Sequence, residues 1–419
     1  MTSTPDAGSH GGYRTRDPEY RRISVALFAA GIATFALLYS TQTLLPELMD
    51  AFGVTAAQST LSLSLTTIGL GTALLLAGPL SEVVGRTPLI HASLAASSII
   101  GLVCALAPAW DALLLLRLLQ GAALAGLPAV ATAYLREELH RGVQARAAGL
   151  YIGGTALGGM IGRVLAGFVG EHAGWRWSLA AIGALGLACA LAVRLLLPPS
   201  RAFTPAPARL GHLLGLMRGA LTDRALVGLY AIGASSMGVF VAVFNAAGFR
   251  LSSAPFHLGL GAIGLVFLVY PVGTVSSTVA GRFADRYPRR SVLAVGTVVF
   301  AAGLLLTIPD SLPVIIAGLA VMTGGFFAVH GIASGWVPAR AHAAGLAPGP
   351  AASLYLFAYY LGSSVVGSLS GVAWSAGAWP GVMVLTVSLV AVVGALSQYL
   401  RRVPPLDGRR RRGSPPVRP

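Results

Sequence analysis

Gly78-Pro79-Leu80-Ser81-Glu82-Val83-Val84-Gly85-Arg86 is echoed 203 positions later by Gly281-Arg282-Phe283-Ala284-Asp285-Arg286-Tyr287-Pro288-Arg289, and each copy lies between two long apolar segments. A second match sits at an offset of 204: Ala147, Ala148, Leu150, Tyr151, Leu157, Gly158, Gly167 and Trp175 return as Ala351, Ala352, Leu354, Tyr355, Leu361, Gly362, Gly371 and Trp379. The chain is therefore two related halves. Such duplication in an apolar chain points to transport, because a solute is most simply carried past a central site by rocking two similar halves against each other.

Of the 419 residues, 55% are hydrophobic and only 10% charged, with a mean hydropathy of +0.75; soluble domains carry about 25% charged residues. A transmembrane helix needs about 20 mostly apolar residues. Twelve segments qualify: 23–45, 57–78, 88–107, 111–135, 146–170, 177–197, 225–248, 258–280, 291–308, 312–337, 351–374 and 379–400. They imply an all-α membrane protein: a tail over 1–22, six helices over 23–197, a linker over 198–224, six more helices over 225–400, and an Arg/Pro-rich tail over 401–419. The first segment lacks the small-residue cleavage pattern of a signal peptide, so it reads as a retained span.

The sequence contains no lysine, and the 29 basic residues are all arginines. Twenty-five lie in the tails and on alternate connections, Arg176 and Arg250 lie on the opposite side, and Arg117 and Arg163 fall inside spans. By the positive-inside rule both termini and the linker face the cytoplasm of a bacterial inner membrane. The net charge of +15 then reflects topology and contact with anionic lipid, not a nucleic-acid partner. Cys104 and Cys189 sit within apolar segments and read as packing residues. No metal, cofactor or disulfide is expected, and a monomer is. An ATP-driven pump is excluded, because a Walker A loop needs a lysine to reach the phosphates.

The loop Gly78 to Arg86 and its copy resemble the helix 2–3 and helix 8–9 signature of the major facilitator superfamily, with Glu82 where that family usually has Asp and Pro288 in place of a glycine. Arg117-Leu118-Leu119-Gln120-Gly121 resembles a second signature of the same superfamily. Gly149, Gly158, Gly162 and Gly167 resemble the glycine-rich helix 5 pattern of its twelve-helix drug/proton antiporters, with Arg163 where a proline is usual. That arginine resembles the YnfM-like permeases, as do Leu45-Pro46-Glu47-Leu48, Phe244-Asn245 and Phe326-Phe327-Ala328-Val329-His330. The resemblance implies two pseudo-symmetric six-helix bundles, helices 1, 4, 7 and 10 around a central site, helices 3, 6, 9 and 12 toward lipid, and a proton-coupled antiporter.

At the 204 offset, Arg117 faces Val321, Arg163 faces Gly367 and His330 faces Gly126. These three break the symmetry of the halves and are the first candidates for solute binding, joined by Gln42, Asn245 and Tyr359 among the polar residues of helices 1, 7 and 11. An intramembrane arginine costs about 2.5 to 3.5 kcal/mol on insertion scales, so it must face protein or a watery cavity. Arg117 either bonds backbone carbonyls of the first helix or meets solute; Arg163 either packs across the interface of the halves or does the same; His330 and Tyr359 either pack or bind. Counted along their helices, both arginines lie about 10 Å below the outer surface. No acid shares their depth, and one electropositive site for an organic anion is expected. Glu82 and Asp285, with Arg86 and Arg289, read as a gate at the cytoplasmic mouth.

These features imply secondary active transport of a small organic solute by alternating access, outward and in exchange for protons. A uniporter or importer of a sugar or organic anion is the rival within transport, and a non-transporting membrane sensor the rival outside it. No nucleophile, base and orienting group share a position that suggests an enzyme. The topology is checked by fusing alkaline phosphatase after Arg402, where it should be inactive, and after Asp50, where it should be active; the reverse pattern inverts the orientation.

Overall fold

The computed structural model describes residues 12–201, 203 and 210–403. The arginine-rich tail expected beyond 401 lies outside the described residues from 404 onward, as do residues 1–11. Ten helices are long and apolar enough to cross a membrane. Two of them, Arg141–Leu196 and Pro348–Arg402, each fold back on themselves, at Gly174 and at Gly377-Ala378, which gives twelve spans among the described residues. They are α1 Pro18–Tyr39, α2 Leu61–Val84, α3 Arg86–Cys104, α4 Trp110–Glu138, α5 141–173, α6 175–196, α7 Arg224–Ser252, α8 Leu260–Arg286, α9 Arg289–Leu306, α10 Leu312–Ala343, α11 348–376 and α12 379–402. A bilayer core offers no partner to a bare peptide group, so each apolar run closes its own hydrogen bonds as a helix. The two turnarounds lie 204 residues apart and both use left-handed backbone, φ 85° at Gly174 and 47° at Ala378.

The predicted linker contains one element that the apolar pattern missed, a helix over Leu210–Thr222. It ends at Asp223, whose carboxylate caps α7 by accepting from the backbone N–H groups of Ala225 and Leu226 at 2.9 Å. The same carboxylate pairs with Arg340 of α10 at 2.9 Å. Burial pushes the Asp223 carboxyl up, but the Arg340 fork and the two N–H bonds outweigh it and hold its pKa below the usual aspartate value.

Glycines set the helix approaches. Gly154, Gly158 and Gly162 form a stripe of spacing four on α5, and a Cβ at any of them would strike α1 backbone at Phe28, Ile32 or Ala36. Gly362 of α11 meets the backbone of Ala234 on α7 in the same way. Gly149, from the same sequence pattern, has open space around it. Large apolar side chains of α6, α9 and α12 point outward, with Leu195, Val298 and Val384 each about 70% exposed, as lipid-facing helices require.

The first and last described residues lie on one side, here the tail side: Tyr13 bonds to Glu138 and His140 at the α4–α5 connection, and Arg290 donates to the carbonyls of Arg401 and Val403. The two halves touch along the opposite, far side. α5 meets α8 where Gly167 lies under the carbonyl of Leu260, and the short helix Ala56–Ser59 just before α2 meets α11 where Gly371 lies under that of Ala56. The positions 167/371 and 56/260 are each related by 204, so these are one contact used twice. Thr67 and Ser364 hydroxyls add a bond at 2.7 Å, and Ser364 also donates to Ser64 O at 2.8 Å. On the tail side a Cβ added at Gly78, Gly149, Gly281 or Gly335 would meet nothing, and among the described residues the bonds that join the halves, such as Gln42–Asn245, Thr67–Ser364 and Gly261–Glu171, all lie away from that side.

A Cβ at residue 371 would stand 2.6 Å from the Ala56 carbonyl, and overpacking of this kind costs about 1–3 kcal/mol. Gly371→Val, like Gly167→Val, should therefore destabilise the far-side seal. Spin labels on cysteines at Asp50 and His257, one in each half, should report a longer distance distribution than in the parent.

Candidate functional site

The site begins with a break in α1. After Tyr39 the helix gives way to a turn, and Pro46 opens a short helix, Leu45–Phe52. In the turn the Gln42 N–H bonds the Tyr39 carbonyl instead of the Leu38 carbonyl four residues back. Leu38 O is thus free inside the protein, where an unpaired acceptor is costly. Arg117 of α4 fills the gap, with Nη2 donating to Leu38 O at 2.9 Å, Nη1 to Leu37 O at 3.1 Å and Nε to Ser62 O of α2 at 3.1 Å. Gln120 takes a further bond from Nη1 at 2.6 Å and passes it on to Ser97 O of α3 at 3.0 Å. Arg117 is fully buried and all three of its guanidinium nitrogens are bonded. It ties four helices of one half together and is no part of the cavity wall.

Arg163 of α5 stands on the other face of the same turn. Its Nε donates to Gln42 Oε1 at 2.6 Å and its Nη1 to Gly159 O at 2.6 Å, while the Thr43 hydroxyl bonds its carbonyl at 3.1 Å. Three rings enclose the guanidinium: Tyr39 at 4.0 Å, Tyr270 at 4.6 Å and Phe267 at 4.9 Å from ring centre to Cζ. The last two belong to α8 of the other half. Such cation–π contacts offset part of the desolvation cost that a buried cation carries. No hydrogen bond of Nη2 is found among the described residues, and Arg163, only 1% exposed, is among the residues that line the cavity. The single shared site expected for the two arginines is therefore not what the fold builds: the α1 turn separates them, Arg117 bonded into its half and Arg163 at the head of the cavity.

The cavity is about 470 Å³, lies between the halves and opens toward the tail side. The resemblance implied a wall of helices 1, 4, 7 and 10; the wall also takes residues from α5, α8 and α11, while α4 gives only Pro128. Parting of the tail-side ends uncovers those three helices. Phe240 of α7 stacks on Phe326 of α10 at 4.1 Å, His330 lies parallel to Phe326 at 5.9 Å, and Tyr359 of α11 is 4.7 Å from the imidazole. His330 Nδ1 is 3.0 Å from the hydroxyl of Tyr355. Arg163 is the one formally charged side chain among the lining residues.

Of the residues singled out from sequence, Arg163, His330 and Tyr359 line this cavity. Gln42 and Asn245 lie just beyond it, fully buried, with Gln42 Nε2 donating to Asn245 Oδ1 across the halves at 2.8 Å. On the tail side Arg86 pairs with Glu82 at 2.7 Å and Glu137 at 3.0 Å and bonds Ser81, all within its own half. Asp285 and Arg289 are exposed, with no ion pair or side-chain hydrogen bond among the described residues. Sequence reasoning missed the ring cage of Phe267 and Tyr270 and the wall residue Phe240. The available signal was aromatic spacing, with Phe240/Phe244 and Phe326/His330 four apart and Phe267/Tyr270 three apart, each pair on one helix face.

The sequence profile of the Major Facilitator Superfamily matches residues 24–279 and 253–418. The chain is 42% identical over 390 residues to the MFS-type transporter YybF of Bacillus subtilis (strain 168), covering 93% of this chain and 96% of that one. It is 43% identical over 379 residues to the inner membrane transport protein YnfM of Escherichia coli (strain K12), covering 90% of each. The fold also matches the inward-facing, unoccupied crystal structure of a bacterial homolog of the human lysosomal transporter Spinster, with a TM-score of 0.71 at 15% identity over 92% of this chain and 95% of that one. A multi-pass helical membrane transporter is what fold and site define. The chain belongs to the major facilitator superfamily.

Arg117→Leu should strand Leu38 O and the Gln120 amide oxygen, while Leu37 O keeps the Ser40 hydroxyl and Ser62 O the Thr66 hydroxyl; at about 1–3 kcal/mol for each stranded acceptor, it should cost the protein its monodisperse peak in size-exclusion chromatography. Arg163→Ala, which frees the Gln42 amide oxygen while Gly159 O keeps its partner within α5, should insert and purify normally.

Proposed function

We propose that this transporter carries a small planar organic anion by alternating access, with the anionic group on the free edge of Arg163 and the body of the solute against the aromatic wall. The observation that carries this reading is a single unneutralised cation, with one unbonded edge, at the head of a cavity whose wall includes nine Phe and Tyr side chains. Charge-assisted bonds from an arginine are strong and directional where water is scarce, and no acid in the wall attracts a cation. Flat ring faces favour a planar body over a polyhydroxy one.

The arginine distribution supports reading the tail side as cytoplasmic, so that the open state described above receives solute from the cytoplasm. Export then proceeds in exchange for protons. His330 is the candidate proton carrier, because it is the one imidazole among the residues that line the cavity and lies beside Tyr359. When the tail side closes, the loops of Glu82–Arg86 and Asp285–Arg289 approach, and Arg86 exchanges Glu137 for a partner across the mouth.

Purified protein should be stabilised against heat by aromatic carboxylates such as benzoate and not by lipophilic cations, since a ligand of the folded state raises its apparent stability. Arg163→Ala should abolish that stabilisation. In proteoliposomes, His330→Gln should keep counterflow and lose stimulation by a pH gradient. Cations as the best ligands, or full counterflow in Arg163→Ala, would sink the reading.

A further inference from the structure

Gln42 and Asn245 are themselves related by the 203-residue repeat, so their hydrogen bond joins equivalent points of the two halves near the axis that relates them. Arginine only donates, which fixes the Gln42 atom facing Arg163 as the oxygen, leaves Nε2 to donate to Asn245 Oδ1, and turns Asn245 Nδ2 toward Gly367 O at 3.4 Å. Gly367 is the repeat equivalent of Arg163. One chain of bonds therefore runs from the cavity cation through both amides to the matching point of the other half, and the cation alone sets its polarity. It lies between the two glycine seams at Gly167 and Gly371 that close the far side.

We infer that Arg163, Gln42 and Asn245 form a latch through which solute binding loosens the far-side seal. The bond from Arg163 to Gln42 is charge-assisted, about twice the strength of a neutral one. An anion on the free Nη2 neutralises the guanidinium and removes that assistance, and a carboxylate reaching the Nε–Nη2 edge displaces Gln42 outright. Gln42 then no longer has a fixed orientation, and the bond to Asn245 across the halves weakens. The glycine seams are joined by packing and by bonds such as Gly261 N–H to Glu171 Oε2 at 2.6 Å and the Thr67–Ser364 hydroxyl pair at 2.7 Å, whose residues do not line the cavity, so the latch is the member of the seal that couples it to occupancy.

This rests on the anion reading of the cavity only for the identity of the trigger, and two variants separate the two ideas. Asn245→Leu leaves Arg163 and its bond to Gln42 intact and removes the link across the halves. Spin labels at Asp50 and His257, with Cys104 and Cys189 replaced by Ala, should show the far-side-open population of ligand-free protein rising roughly 3- to 10-fold, as loss of one buried interhelical bond implies. Gln42→Glu accepts from both Arg163 and a turned Asn245, so it should keep the far side closed even with saturating benzoate, which opens it in the parent. If Asn245→Leu has the parental distance distribution, or Gln42→Glu opens with benzoate as the parent does, the latch is overturned. If benzoate neither stabilises nor opens the parent while Asn245→Leu opens without ligand, the latch stands and the anion reading fails.

Discussion

The turn that interrupts the first helix is clamped between two arginines, and the rest of the architecture depends on that clamp. A helix broken at membrane depth exposes carbonyls with no water to take them, which is tolerated only where protein or a cavity supplies donors. Arg117 supplies them from inside its half, to Leu37 O and Leu38 O. Arg163 holds the opposite face through Gln42 and Thr43. The cost of burying two guanidiniums is thus offset by groups that the break itself leaves free. Because the break lies where the halves meet, the same residues give the cavity its charge and its roof.

Duplication shapes the seal as well as the topology. Gly167 under Leu260 and Gly371 under Ala56 are one contact repeated, and the turnarounds at Gly174 and Ala378 are one bend repeated. Where the copies diverge, chemistry appears. Position 163 is arginine in one half and glycine, at 367, in the other, so the cavity has a single cation. On the tail side, Arg86 is held by Glu137, whereas the repeat positions carry Arg289 and Ala341, and the second half is braced instead by Arg340 paired with Asp223 at the start of α7. The tail-side ends of the two halves are consequently braced by different partners, and neither brace spans the open mouth.

An aromatic wall with one cation discriminates by more than charge. The rings of Tyr39, Phe267 and Tyr270 approach the guanidinium from both halves, so the charge is held in place without an acid that would neutralise it. That is what the proposed anion site asks of Arg163, whereas the guanidinium nitrogens of Arg117 are all bonded within its own half. Two residues of one type and similar depth differ in role because of which side of a five-residue turn they face.

The sequence alone determined the spans, their number, the pairing of the halves and the family, since these follow from apolar length and from residues that recur at a constant offset. It also marked Arg163, His330 and Tyr359, which share a cavity, and offered the carbonyl-bonded reading of Arg117. It did not reveal the helix over Leu210–Thr222, which is short and amphipathic and lies in a stretch without membrane-length apolar character. Nor did it separate Arg117 from Arg163: depth along a helix is legible from residue count, but the face a side chain presents depends on where the neighbouring helix breaks. Only the tertiary structure decided that, together with the meeting of Gln42 and Asn245, because a hydrogen bond between residues 203 positions apart exists only once the two halves have closed on one side and parted on the other.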